Sequence, residues 1–375
     1  MNAPILIVLV IATALVFDFT NGFHDTANAM ATSIATGALR PKVAAAIAGV
    51  LNLAGAFLSV EVARTIAGGL VDDTRITPVV VFAGLVGAIL WNLLTWLFGL
   101  PSSSSHALFG GLIGATLVAG GFGAVHVDAV VGKILLPAVI SPLLAGLVAL
   151  TVTFLAYRIT ARADRATVHR AFRLCQVLSA SMVALAHGAN DAQKTMGVIT
   201  LTLVTGGVLV PGSGPPFWVI AATGMAIAIG TYMGGWRIIR TLGHRVSTIH
   251  TTQGFTAETT SAAVILTSTH LGLPLSTTQV CTGSIFGAGA GRSRATVQWG
   301  LAGRMAVTWA VTLPAAAAVG AMASAVAAHG TGGVVAVAVA GVALGGGIYA
   351  ASRRNPVSAL NVNDVPTPPP VRAAA

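Results

Sequence analysis

Charge is what this sequence has least of. Only 8% of its 375 residues are Asp, Glu, Lys or Arg, against about a quarter in soluble domains. With 55% hydrophobic residues and a mean hydropathy of +0.85, that scarcity excludes a water-soluble globular domain and predicts an all-α integral membrane protein. Cysteine is nearly absent too. Cys175 and Cys281 stand far apart and match no metal or redox spacing, so they are read as free thiols behaving like small hydrophobes. No Lys or Arg precedes the apolar run 4–17. Although Ala27-Asn28-Ala29 imitates a cleavage site, the run is therefore read as a first membrane segment rather than a signal peptide. Acids are scarcer than bases, ten against twenty. The net charge of +10 still points to no nucleic-acid partner, because the basic residues sit in short loops, as membrane topology signals do.

What is present is a series of apolar spans: 3–18, 43–68, 78–98, 131–157, 172–187, 216–239, 256–272, 303–327 and 333–352. Between them lie 20–38, 101–120, 188–207 and 274–290, too short or too polar to span simply, which gives roughly 9–12 membrane segments. The stretch 158–173, "RITARADRATVHRAFR", sets Arg158, Arg162, Arg165, Arg170 and Arg173 against Asp164 alone, and the positive-inside rule makes it cytoplasmic. The tail 353–375 is Pro-rich and polar and reads as disordered.

The chain repeats itself. "GFHDTANAM" at 22–30 aligns with "GANDAQKTM" at 188–196, and "GLPSSSSHALFGGLIGA" at 99–115 with "GLPLSTTQVCTGSIFGA" at 272–288. The proline pair Pro142 and Pro314 follows at nearly the same offset. The expected layout is a first membrane repeat 1–157, the basic loop 158–173, a second repeat 174–329, an extra transmembrane helix 330–352 and the tail. Two halves with Gly- and Pro-interrupted segments at matching positions point to a secondary transporter whose site lies at the midplane between the repeats. An odd number of crossings per half would make the repeats inverted.

Asp25 and Asp191 fall at the same place in the two copies, inside membrane-depth segments, where an ionisable residue marks a functional site by default. Asn21, His24, Thr26 and Asn28 surround the first; His187, Asn190, Gln193, Lys194 and Thr195 surround the second. Asp25/Asn28 and Asp191/Lys194 are i,i+3 pairs on one helical face. Carboxylate, amide and hydroxyl oxygens suit a hard cation or a proton, while amide, hydroxyl and ammonium donors suit an oxyanion. "GLPSSSSH" and "GLPLSTTQ" each give a Gly-x-Pro break, then Ser or Thr at N-cap and first-turn positions. Such helix termini are anion sites. Ser103, Ser104 and Ser105 match Ser276, Thr277 and Thr278, so two re-entrant hairpins, one per repeat, would grip one tetrahedral anion. Glu258, in apolar "GFTAETTSAAVI", is a further candidate for ion coupling with His24, Asp25, Asn190 and Asp191. Glu61 is read as a partner of Arg64 at i+3, and His106 and His270 as hydrogen-bonded helix histidines.

"NGFHDTANAMAT", "AHGANDAQKTMG", "GLPSSSSHALFGGLIG" and "QGFTAETTSAAVI" with "GLPLSTTQVCTGSIFG" resemble the inorganic phosphate transporter (PiT) family, and within it the bacterial low-affinity, proton-coupled branch. The likeness covers about residues 15–320, with four motifs in order. It implies a fold of two inverted repeats, location in the cell membrane, and symport of inorganic phosphate, in bacteria often as a neutral divalent metal-phosphate complex. Membrane transporters of this kind are often homodimers, though the sequence does not fix the oligomeric state, and no cofactor or resident metal is expected. The residues the likeness implies for substrate are Asp25, Asn28, Asp191, Ser104, Ser105, Thr277 and Thr278. Two departures stand out: His24 and Lys194 occupy positions where the family's G-x-N-D-x-x-N motif has Asn. An ammonium beside Asp191 costs a sodium ion several kcal/mol at low effective dielectric, so a proton is the expected coupling ion and sodium the alternative. A passive anion channel is a second reading. An intramembrane aspartyl protease using Asp25 and Asp191 is a third, disfavoured because Lys194 pairs with Asp191 and the hairpins would have no role.

Overall fold

The structure is a computed structural model, described for residues 2–69, 76–292 and 297–364. Among the described residues its long elements are all helices: α1 (Ala3–Ala35), α2 (Pro41–Ala56), α3 (Glu61–Gly69), α4 (Pro78–Leu97), α5 (Ser104–Gly120), then α6 (Val127–Val130) running through a π turn into α7 (Leu136–Ile159). The second half repeats the order with α8 (Arg165–Thr205), α9 (Phe217–Met233), α10 (Trp236–Arg240), α11 (Thr251–His270), α12 (Thr277–Arg292) and α13 (Trp299–Ala327), and α14 (Thr331–Ser352) follows. Among the described residues five helices are long and apolar enough to cross a bilayer, and seven if each of two bent pairs counts as one span. α8, whose middle turns carry His187 to Thr195, is not among the five.

The breaks do not fall where the apolar runs place them. The stretches 3–18 and 20–38 form the single helix α1, and 172–187 and 188–207 the single helix α8. Neither Asp motif sits on a helix break. The polar side chains find partners on neighbouring helices, so no backbone group has to be freed to serve them. The glycines of the motifs allow close packing instead: a Cβ on Gly22 would collide with the Ile227 carbonyl of α9, and one on Gly188 with the Asn52 carbonyl of α2. The runs read as unbroken spans, 43–68 and 216–239, are the bent ones, turning by 69° between α2 and α3 and by 57° between α9 and α10.

The packing is the same when the halves are exchanged. α1 lies on α9 as α8 lies on α2; α5 packs against α13 as α12 packs against α7; α1 meets α8, and α2 meets α9. Each hairpin helix thus rests on the last long helix of the other half. The contact is close enough that a Cβ on Gly114 would collide with the Ala317 carbonyl, and one on Gly287 with the Gly146 carbonyl.

Two apolar cores hold this arrangement. One gathers Ile7–Phe17 of α1 with Met196–Leu203 of α8 and the buried faces of α4 and α5. The other gathers Ala27–Ile34 of α1 with Ala180–Ala186 of α8 and the faces of α11 and α12. The polar stretches of α1 and α8 lie between them as a layer. Outside, α7 and α14 expose Leu143, Leu147, Val339 and Val342, the surface expected of helices facing lipid.

At the cytoplasm-assigned loop, Asp164 caps α8 by accepting from the Thr167 N–H and hydroxyl, which holds its carboxyl below the usual range. Part of the tail read as disordered is ordered: Arg237 donates to the carbonyls of Ser352 (2.7 Å) and Asn355 (2.6 Å), and Arg240 to that of Asn361. Residues 365–375 lie outside the described residues.

Candidate functional site

The two hairpin turns are built alike. α4 ends in Gly99 (φ 65°) and α11 in Gly272 (φ 68°), a left-handed conformation that glycine adopts without a Cβ clash. In each, the residue after the glycine reaches back to the helix: Leu100 N–H donates to the Thr95 carbonyl and Leu273 N–H to the Ser268 carbonyl, both in the Schellman pattern. Pro101 and Pro274 then carry the chain into the next helix. Ser103 accepts from the His106 N–H (3.2 Å) and Ser276 from the Gln279 N–H (3.3 Å). These two serines are N-caps, and their oxygens are occupied at the helix end rather than turned to the centre.

The first-turn hydroxyls behind the caps do reach the centre. Ser104 donates to Asp25 Oδ2 (2.6 Å), and Thr277, its counterpart, to Asp191 Oδ2 (3.3 Å). Thr278 crosses to Asp25 Oδ1 (3.3 Å). Asn28 donates to Thr278 (3.0 Å), and Lys194, in the matching position, to Ser105 (2.6 Å). The side chains of both Asp motifs and of both hairpin starts therefore converge on one spot, none more than 5% exposed. The structure brings together Asp25, Asn28, Ser104, Ser105, Asp191, Lys194, Thr277 and Thr278.

The electrostatics break the symmetry. Lys194 Nζ lies 2.6 Å from Asp191 Oδ1 and 2.8 Å from the Leu275 carbonyl. His24 Nδ1 donates to Asp25 Oδ1 (2.6 Å), while its Nε2 faces Ser102 (3.3 Å) and Thr95 (3.4 Å). Asn190, at the matching place, turns away from its Asp to Thr269 (2.9 Å). His187 gives Nδ1 to Asn52 (3.1 Å), and its Nε2 stands between the two carboxylates, 3.4 Å from Asp191 and 3.9 Å from Asp25. Asn21, the counterpart of His187, reaches Asp191 at 3.4 Å. One ligand atom each from Asp25, His187 and Asp191 lies within 4.8 Å of the others, a donor set that a small cation can share. Asn21 Oδ1, Asn28 Oδ1 and Asn190 Oδ1 are buried without a partner among the described residues. Buried polar atoms are usually satisfied, and an amide oxygen can accept a hydrogen bond.

Glu258 is not part of this cluster. It accepts from Thr32 (2.5 Å), Ser179 (2.6 Å) and Gln176 (3.3 Å) in a buried group of its own. Its place in the apolar run carried no sign of that separation. Glu61 pairs with Arg64 at 2.9 Å, both exposed. Sequence reasoning missed Asn52, Thr95 and Thr269, single polar residues in apolar helices that, with Ser102 of the first hairpin turn, orient the histidines and Asn190. It also missed Asp18, one of only ten acids.

The chain also resembles known proteins. The model of the phosphate transporter family, PHO4, matches residues 21–320, a range that contains both Asp motifs and both hairpins. The chain belongs to the phosphate transporter family. It is 56% identical over 363 residues to the "Probable low-affinity inorganic phosphate transporter" of Mycobacterium tuberculosis (strain ATCC 25618 / H37Rv), covering 96% of this chain and 87% of that one. It is 42% identical over 321 residues to the protein of the same name in Bacillus subtilis (strain 168), covering 85% of this chain and 96% of that one. A solved structure titled "The sodium-dependent phosphate transporter" superposes with a TM-score of 0.76 over 84% of this chain and 97% of its own, at 24% identity. At that identity the likeness concerns the fold. The relatives bear transporter names, so this family member is a multi-pass membrane transporter and not an enzyme, which sets the aspartyl protease aside.

Proposed function

We propose that this transporter carries inorganic phosphate in symport with protons across the cell membrane. The observation that carries the reading is the convergence of two hydroxyl-bearing helix N-termini on two carboxylates, one of which is paired with a lysine. Helix N-termini and Ser/Thr hydroxyls suit a phosphate. Two carboxylates repel one, so phosphate enters only with compensating positive charge. That requirement is coupling: the cation that neutralises Asp25 and Asp191 admits the anion. At Asp191 the Lys194 ammonium occupies the place a sodium ion would take, and a proton needs no such room. The triad of Asp25, His187 and Asp191 also leaves a place where a divalent metal arriving with phosphate would be held, as part of the cargo.

Exchange-symmetric packing supports inverted repeats. α1 and α8 pass each other antiparallel, since Asn21 meets Asp191 while Asp25 meets His187. Rocking one repeat against the other would then open the site to alternate faces.

The test is radiolabelled phosphate uptake into proteoliposomes under imposed proton or sodium gradients, with and without magnesium. Uptake following the proton gradient supports the reading. Uptake following only sodium refutes the coupling ion, and flux indifferent to either would mean a channel. Asp191→Asn is expected to abolish uptake; wild-type flux in that variant would remove the site assignment.

A further inference from the structure

Asp18 lies on α1 seven residues before Asp25, two helical turns and about 10 Å along the axis. It is wholly buried, and neither of its carboxylate oxygens has a hydrogen-bond partner among the described residues. Thr195 of α8 faces it, its own hydroxyl without a partner. The matching position of the second repeat is Ala184, so Asp18 owes nothing to the pseudo-symmetry that explains Asp25 and Asp191.

An ionised carboxylate buried with one neutral hydroxyl facing it and no counter-ion costs several kcal/mol even after the protein relaxes, and the usual outcome is neutralisation. The charged and titratable groups around Asp18 do not supply a counter-ion. On α8 these are His187, Asp191 and Lys194. Lys194 is committed to Asp191, Ser105 and the Leu275 carbonyl. His187 sits between Asp25 and Asp191. On α1 itself His24 is bound to Asp25. α4 has no titratable residue, α9 only the exposed Tyr232, and His106 of α5 turns to Ser103. The group is therefore left for a proton.

Its position suits one that moves. Residues 18, 25 and 32 repeat every two turns on one face of α1. Asp18 is at the first, Asp25 at the second, and Thr32 holds Glu258 at the third. Buried carboxyls thus flank the central pair on both sides.

We propose that Asp18 is a second proton-binding site of the transport cycle, separate from the phosphate site, whose proton crosses with each phosphate. The inference rests on the proton-symport reading above. The full chain is reconstituted in proteoliposomes, and the proton-to-phosphate stoichiometry is taken from the phosphate gradient that just balances an imposed pH gradient. Asp18→Asn keeps the shape and removes the titration. Phosphate exchange at equal pH is expected to persist while the stoichiometry drops by one proton. Retained exchange with unchanged stoichiometry overturns the assignment. If the wild-type protein moves no protons with phosphate, the symport reading itself has failed, a different result from either. Should Asp18→Asn lose exchange, two measurements decide. The infrared carbonyl band of a protonated, weakly bonded carboxylic acid is expected in purified wild type and absent in the variant, and Asp18→Glu is expected to restore proton-driven uptake with a shifted pH midpoint. A band that survives in Asp18→Asn, or a Glu variant as inactive as the Asn one, makes Asp18 a structural residue and overturns the proposal.

Discussion

Replacing Lys194 with asparagine gives the second motif the residue that Asn28 supplies in the first. It also removes the only ammonium in the buried cluster. At 2.6 Å, two unit charges attract by about 6 kcal/mol at an effective dielectric of 20. Part of that offsets desolvation, and truncating one partner of a buried pair costs about 3–5 kcal/mol in practice. Asp191 would keep Asn21 (3.4 Å), Thr277 (3.3 Å) and His187 (3.4 Å), all long contacts that compensate little. The loss expected for the purified protein in potassium buffer is about 3 kcal/mol. The vacated position lies between Asp191, Ser105 and the Leu275 carbonyl, an all-oxygen set that suits sodium. Sodium at about a hundredfold its dissociation constant would return about 2.7 kcal/mol, nearly all of the deficit. Thermal melting in detergent, in sodium against potassium, reads both numbers. Uptake by the variant is expected to lose proton drive and to gain sodium dependence. A Lys194→Asn protein as stable as wild type in potassium, insensitive to sodium and unchanged in uptake would refute the account of Lys194 as an occupant of the cation position.

Further outcomes follow from the same contacts. Asp25→Asn removes the acceptor shared by His24, Ser104 and Thr278 and is expected to abolish phosphate uptake in proteoliposomes. Ser104→Ala and Thr277→Ala each delete one hydroxyl bonded to a carboxylate; at about 1.5 kcal/mol each raises the phosphate KM about tenfold, by similar amounts because the positions are equivalent. Gly114→Ala and Gly287→Ala drive a Cβ into the carbonyls of Ala317 and Gly146, so neither should give monodisperse protein on size exclusion, whereas Gly332→Ala, with nothing within 4 Å, should. Arg237→Ala with Arg240→Ala frees residues 353–364 from α10, which limited proteolysis detects as faster cleavage of the tail.

The duplicated polar motifs could be read from the sequence because each carries its own chemistry. Gly-x-Pro followed by Ser or Thr dictates a turn and a capped helix whatever surrounds it, and the caps fall on Ser103 and Ser276 as that logic requires. The pairing of Asp25 with Ser104, and of Lys194 with Ser105, could not be read. It depends on helices more than seventy residues apart in the chain, and periodicity says nothing about which helix a face will meet. The misplaced breaks have a related cause. A polar stretch inside an apolar run looks like an interruption, yet α1 and α8 stay continuous because α9, α11 and α12 supply the partners that water would otherwise provide. The true bends have weak signals: Gly234-Gly235 between α9 and α10, and nothing distinctive in Phe57–Val60. Asp18 was legible in principle as an acid within a membrane helix. It lacks a repeat partner, so the symmetry of the halves gives no pointer to it.

The repeat symmetry separates two kinds of residue. Contacts that survive exchange of the halves are made by glycines and hydroxyl-bearing residues: Gly22 with Gly188, Ser104 with Thr277, Thr95 with Ser268. These can serve either orientation of a rocking machine equally, and they are what phosphate needs. Apart from Asp25 and Asp191, the buried ionisable residues of these motifs lack a like counterpart: Asp18 stands against Ala184, His24 against Asn190, His187 against Asn21, Lys194 against Asn28 and Glu258 against Leu85. A transporter whose two halves were identical in charge would hold its cation equally well from either side. Only the ionisable departures can give the proton a direction-dependent environment. Coupling should therefore respond to substitutions at the unmatched positions while phosphate exchange tolerates them. Substitutions at the matched hydroxyls should weaken phosphate binding and leave the stoichiometry intact.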